Sequence, residues 1–168
     1  MAERQGILRE GIQAGLIGAT SVAVWFLAVD TIAGHPLETP RLLGQAFFSV
    51  FGQAVSPDRA MTQIIGYTVF HYMAFMVLGL VASALVHASQ KEPNMVAGLV
   101  VLFVAFEAGF YGLTALLSQS ELLGKLAWYQ VGAANLISAA LMGLYILRGH
   151  PELRQELTYA LEGREGSV

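Results

Sequence analysis

The chain contains no cysteine, which removes disulfide frameworks, thiolate zinc sites, iron–sulfur clusters and cysteine nucleophiles together. Charge is also scarce. Only 12% of the 168 residues are charged, against about 25% in ordinary soluble domains, too few to build a polar shell around a core. Lys plus Arg number 9 against 12 Asp plus Glu, a net charge of −3, so no basic field exists to hold phosphates and nucleic acid is excluded as a partner. With 55% apolar residues and a mean hydropathy of +0.59, the chain is not disordered. A lipid bilayer is the solvent this composition fits.

Crossing about 30 Å of hydrocarbon takes roughly 20 mainly apolar residues in a helix. The charges divide the chain into four stretches of that length. The 19 residues between Glu10 and Asp30 are uncharged, as are the 31 between Arg59 and Lys91 and the 22 between Lys125 and Arg148. A further 28 residues between Glu92 and Glu121 carry one charge, Glu107. Spans are therefore predicted at about 11–32, 63–87, 95–117 and 126–147, within a single transmembrane domain covering 1–168. A secretory signal peptide is the rival reading of the first, but the run exceeds a signal core and Asp30-Thr31-Ile32 is a poor cleavage site. Short second and third connections make the predicted fold an all-α, four-helix up-and-down bundle in the membrane.

The first connection is long enough for its own element. Thr39 as N-cap, Pro40 at the first helical position and an apolar face of Leu43, Phe47, Val50 and Phe51 predict an amphipathic helix at about 40–54. It is expected in the membrane interface or over the bundle mouth. After His150-Pro151, Leu153, Leu157 and Leu161 predict a short amphipathic C-terminal helix at about 151–162. Placing both termini in the cytoplasm puts Arg4, Arg9, Lys91, Arg148, Arg154 and Arg164 inside, against Arg41, Arg59 and Lys125 outside. The expected location is the bacterial inner membrane.

Ionisable groups inside a membrane are expensive, so each is a functional candidate. Glu107 falls near the midpoint of the third span, Asn135 near that of the fourth, and His71 about 6 Å from the centre of the second by helical rise. Tyr111 and Tyr67 lie one turn from Glu107 and His71, giving a candidate buried polar or proton site of Glu107, His71, Asn135, Tyr111 and Tyr67. Its structural counterpart is a set of interhelical hydrogen bonds holding the bundle in register. Asp30 and His35, where the first span ends, form a candidate outer entrance, or Asp30 is solvated there or caps the neighbouring loop.

Small residues four apart let helix backbones approach closely. Gly11, Gly15, Gly79, Gly109 and Gly143 belong to such pairs and, with Gly132 on the small face of the fourth span, are read as packing positions. The face of Gly132, Asn135, Ser138, Ala139 and Gly143 is expected to dock on the helix bearing Glu107. No catalytic, cofactor or metal site is expected. His35, His71, His87 and His150 are scattered and no His-Glu-x-x-His or Glu-x-x-His pattern occurs. Haem is disfavoured because His71 and His87 share one helix, ~24 Å apart by rise, and no other span carries a histidine.

From Trp25 to Asp30, through Gly34 to Pro40, and again at Gly66 to His71, Phe106-Glu107 and Asn135, the sequence resembles uncharacterised bacterial four-span integral membrane proteins. That resemblance implies a four-span fold and carries no activity or catalytic residue. Small size and the lack of nucleotide, metal or cofactor motifs then favour a non-enzymatic accessory or structural protein, partnered by other membrane subunits or by copies of itself. The alternative is a small transporter or proton-conducting protein using Glu107 and His71. A membrane enzyme is a third, with no nucleophile or metal evident.

Overall fold

The long charge-free runs become helices. The computed structural model describes residues 2–50, 59–89, 104, 128–152, 154 and 155, and within them the main elements are α1 (Ala2–Ile32), α2 (Glu38–Val50), α3 (Ala60–Ser89) and α4 (Trp128–Gly149). No strand occurs among the described residues. Three of the helices are long and apolar enough to cross a membrane, over Gly6–Ile32, Ala60–Ala88 and Tyr129–Gly149. α1 begins well before position 11 because Arg4, Arg9 and Glu10 are good helix formers and no proline or cap interrupts them.

Among the described helices α1 is the central one, packed along both α3 and α4. Gly11 meets Leu80 and Gly15 meets Met76, so α3 runs antiparallel to α1. Gly18 meets Ser138 and Met142, and the Tyr145 hydroxyl donates to Gln13, so α4 also runs antiparallel to α1. Close approach explains the glycines. A Cβ at Gly79 would lie 2.6 Å from the Gly15 nitrogen and 2.9 Å from its Cα, and one at Gly11 would lie 2.6 Å from the Leu80 Cα. Only hydrogen fits between these backbones. Phe26, Phe75, Val131, Met142 and Ile146 complete the packed interior.

The outer surface of the bundle is apolar, unlike that of a soluble protein, and polar groups lie inside beside the apolar core. Buried positions include Ser83, Ser138, Asn135 and Gln63, whereas large apolar side chains such as Val24 (59% exposed), Val77 (60%) and Leu136 (64%) face outward. Water would oppose such a surface, since burying one aliphatic side chain is worth about 1.5–3 kcal/mol. Hydrocarbon imposes no such cost.

α2 packs on the first half of α3. A Cβ on Gly44 would meet the Gln63 carbonyl oxygen at 2.5 Å, the Phe48 ring lies over Gly66, and the Phe47 and Phe70 rings stand 4.7 Å apart. Its start at Glu38 corrects the expected N-cap at Thr39. Arg41 N–H donates to the Leu37 carbonyl at 3.1 Å as the first helical bond, which makes Pro40 the third helical residue. The predicted third span at 95–117, with Glu107, Gly109 and Tyr111, lies outside the described residues except for Val104, which is helical. So does most of the 151–162 helix, of which residues 151, 152, 154 and 155 are described and helical.

Candidate functional site

Asp30 closes the α1–α2 corner. Its side chain is buried, its Oδ2 accepts the Thr39 N–H and its Oδ1 accepts the Thr39 hydroxyl, both at 2.8 Å. A helix start leaves N–H donors without intrahelical partners. Here Glu38 N–H donates to the His35 carbonyl, Thr39 N–H to Asp30, and Pro40 has none to place. A carboxylate at this position also complements the positive end of the α2 dipole. The turn itself uses left-handed backbone at Gly34 (φ 83°) and Leu37 (φ 68°). Asp30 is thus a helix cap, and His35 is exposed beside it. On the next turn Arg41 and Glu38 pair at 2.6 Å, and that hydrogen bond raises the Arg41 pKa above its ordinary value. Being half-exposed, the pair adds little stability.

Midway along the bundle, polar groups meet backbone and one another. His71 Nε2–H donates to the Ala19 carbonyl at 3.1 Å, and Thr20 and Tyr72 share a hydroxyl contact at 3.1 Å. Tyr67 and Phe75 flank His71, with ring centroids 5.9 and 4.7 Å away. On α4, Asn135 is buried and its Nδ2 has no hydrogen-bond partner among the described residues. Ser138 lies one turn farther, against Gly18. His71 and Ser138 therefore flank the same turn of α1 from α3 and α4. Gly143 faces no atom within 4 Å among the described residues, and Gly132 is half-buried.

A second polar cluster stands at the bundle end that holds the start of α1. Glu10, His87 and His150 come from α1, α3 and the residue after α4, and one donor atom from each lies within 4.8 Å of the others. His150 Nε2 is 3.0 Å from Glu10 Oε1, and His87 Nδ1 is 3.5 Å from Glu10 Oε2. The Ser83 hydroxyl donates to Oε2 at 2.6 Å and fixes the carboxylate. His87 Nδ1–H also donates to the Ser83 carbonyl at 2.9 Å, and the two imidazoles meet edge to face at 4.9 Å. All three side chains are largely buried, at 10–18% exposure.

In the sequence these histidines are scattered, and Glu10 stands out only as the charge that opens the first apolar run. Glu10 and His150 are 140 residues apart in the chain, and only the antiparallel helices bring them together. The usable signal is the ends: Glu10 opens the first span, while His87 and His150 close later spans that run the other way.

No protein-family model, no curated protein and no solved structure matches the chain. Fold and site geometry alone define its class, an all-helical protein with three helices long and apolar enough to span a membrane.

Proposed function

We propose that the chain is an integral membrane protein of structural or accessory type, a subunit or partner of a larger membrane assembly. The observation that carries this reading is an apolar outer surface combined with polar contacts between the helices. Apolar side chains face outward on each of the three described long helices, while His71, Thr20, Tyr72, Ser83 and Gln13 spend their polar groups on contacts between helices. Interhelical hydrogen bonds of this kind hold helices in register and are worth about 0.6 kcal/mol each on average. In this reading residues 95–117 supply the fourth span. α3 ends beside Glu10 and α4 starts at the opposite end, so a crossing between them completes an up-and-down bundle. Both termini lie in the cytoplasm of a bacterial cell, by the positive-inside rule.

A second reading, proton or ion conduction through Glu107 and His71, is favoured by one observation: the buried Asn135 amide lacks a partner among the described residues. A carboxyl at the depth of Glu107 would complement it. Reconstituting wild type and Glu107→Gln in vesicles separates the two. The accessory reading expects no proton or cation flux from either form, with Glu107→Gln altering the mass of the complex isolated under gentle extraction. Flux from wild type that Glu107→Gln abolishes while the complex keeps its mass overturns it in favour of conduction.

A further inference from the structure

We infer that Glu10, His87 and His150 form a binding site for a divalent first-row transition-metal ion at the end of the bundle. The inference goes beyond both readings of function and needs only the packing of α1, α3 and α4. Two imidazoles and one carboxylate are the donor set that suits zinc or ferrous iron, and they match neither soft monovalent copper nor the all-oxygen shells of calcium and magnesium.

The separations from Glu10 fit an ion. Nitrogen and oxygen ligands about 2.1 Å from zinc at the tetrahedral angle stand about 3.4 Å from each other. The contacts from Glu10 to His150 and His87, at 3.0 and 3.5 Å, bracket that spacing. Both carboxylate oxygens take part, one toward each imidazole. The surroundings are also those of a ligand set. The Ser83 hydroxyl orients the carboxylate at 2.6 Å, as outer hydrogen bonds orient ligands in metal sites. At Gly149 a Cβ would lie only 3.2 Å from Glu10 Oε1, so the missing side chain leaves room beside the ligand.

Ion binding replaces the proton between His150 Nε2 and Glu10 Oε1 and turns His87 off the Ser83 carbonyl. Protons leave as the metal binds. Three protein ligands leave a coordination position for water, as in zinc sites with an open fourth place. The ion also ties the start of α1 to the ends of α3 and α4, three points far apart in the chain.

The test uses the full chain in detergent, without a histidine tag, stripped by a chelator and titrated with Co²⁺ and then Zn²⁺. The expected result is one ion per chain, with intense visible Co²⁺ absorption from a low-coordinate site and its displacement by Zn²⁺. Ser83→Ala is expected to weaken binding about 10–100-fold, and Glu10→Gln and His150→Ala to abolish stoichiometric uptake. Zn²⁺ is also expected to raise the melting temperature of wild type and not of Glu10→Gln, since an ion that binds only the folded state stabilises it by mass action. Circular dichroism checks that the variants keep their helices, and the wild-type titration is decisive without them. Wild type that takes up less than one ion per chain overturns the site and leaves a Glu10–His150 ion pair; so does unchanged affinity in folded Glu10→Gln or His150→Ala.

Discussion

Replacing Gly79 by leucine is expected to separate α3 from α1 and to abolish the folded bundle, and Gly79→Ala is expected to destabilise it by about 1–3 kcal/mol, the range for overpacking a filled interior. The atoms a Cβ would strike are the backbone nitrogen and Cα of Gly15, with the Gly11 carbonyl on the same side. No rotamer change relieves a clash between backbones. The two helices must move apart, which also opens the Gly11–Leu80 and Gly15–Met76 contacts along the same seam. In hydrocarbon the loss weighs heavily, because association there depends on close packing and interhelical hydrogen bonds and not on expulsion of water. Thermal unfolding in mild detergent measures it, and Gly6→Ala is the control. A Cβ at Gly6 meets nothing within 4 Å, so that variant is expected to melt within a few degrees of wild type. Equal melting of Gly79→Leu and wild type would sink the described crossing.

Asp30→Ala is expected to cost about 3 kcal/mol and to release α2 from α3. The change removes both acceptors of Thr39 and leaves its buried N–H without a partner. Hydrogen bonds to a charged group contribute about 1.5–3 kcal/mol, and an orphaned buried donor costs about 1–3 kcal/mol. Asp30→Asn keeps one acceptor and is expected to lose less than half as much. Proteolysis near Arg41, followed by mass spectrometry, reports release of α2 directly: cleavage faster in Asp30→Ala than in Asp30→Asn, and slowest in wild type. Were Asp30 instead a solvated group at a pore entrance, both substitutions would leave cleavage at the wild-type rate.

The two variants also mark what is legible in the sequence. Long uncharged runs ending at Asp30, Lys91 and Arg148 announce three long apolar helices, because hydrocarbon length is a strict requirement. Glycines at Gly11, Gly15 and Gly79 announce close approach, and α1 and α3 cross there. The start of α2 was not legible. Thr39-Pro40 has the composition of a cap followed by a first turn, yet the capping oxygen comes from Asp30, nine residues earlier, and Thr39 is the donor. A local pattern cannot show that a side chain from the preceding helix has taken the role.

The Glu10, His87 and His150 cluster was illegible for a related reason. Metal motifs read from sequence depend on ligands one helical turn apart, whereas these three come from three elements and meet only through topology. His71 shows the reverse. Its depth follows from counting residues, but its partner is the Ala19 carbonyl on α1, and a backbone acceptor leaves no mark in the side-chain pattern.

With three helices long and apolar enough to cross a membrane, the bundle is expected to place its two ends on opposite faces. Because the chain has no cysteine, one introduced thiol is the only reactive one. His35→Cys places it at the exposed α1–α2 turn, and Arg148→Cys at the exposed far end of α4. Each variant, expressed in bacteria, is treated with a membrane-impermeant maleimide before and after permeabilisation. His35→Cys is expected to label in intact cells and Arg148→Cys only once the membrane is opened. Equal labelling of both sites in intact cells would contradict the account.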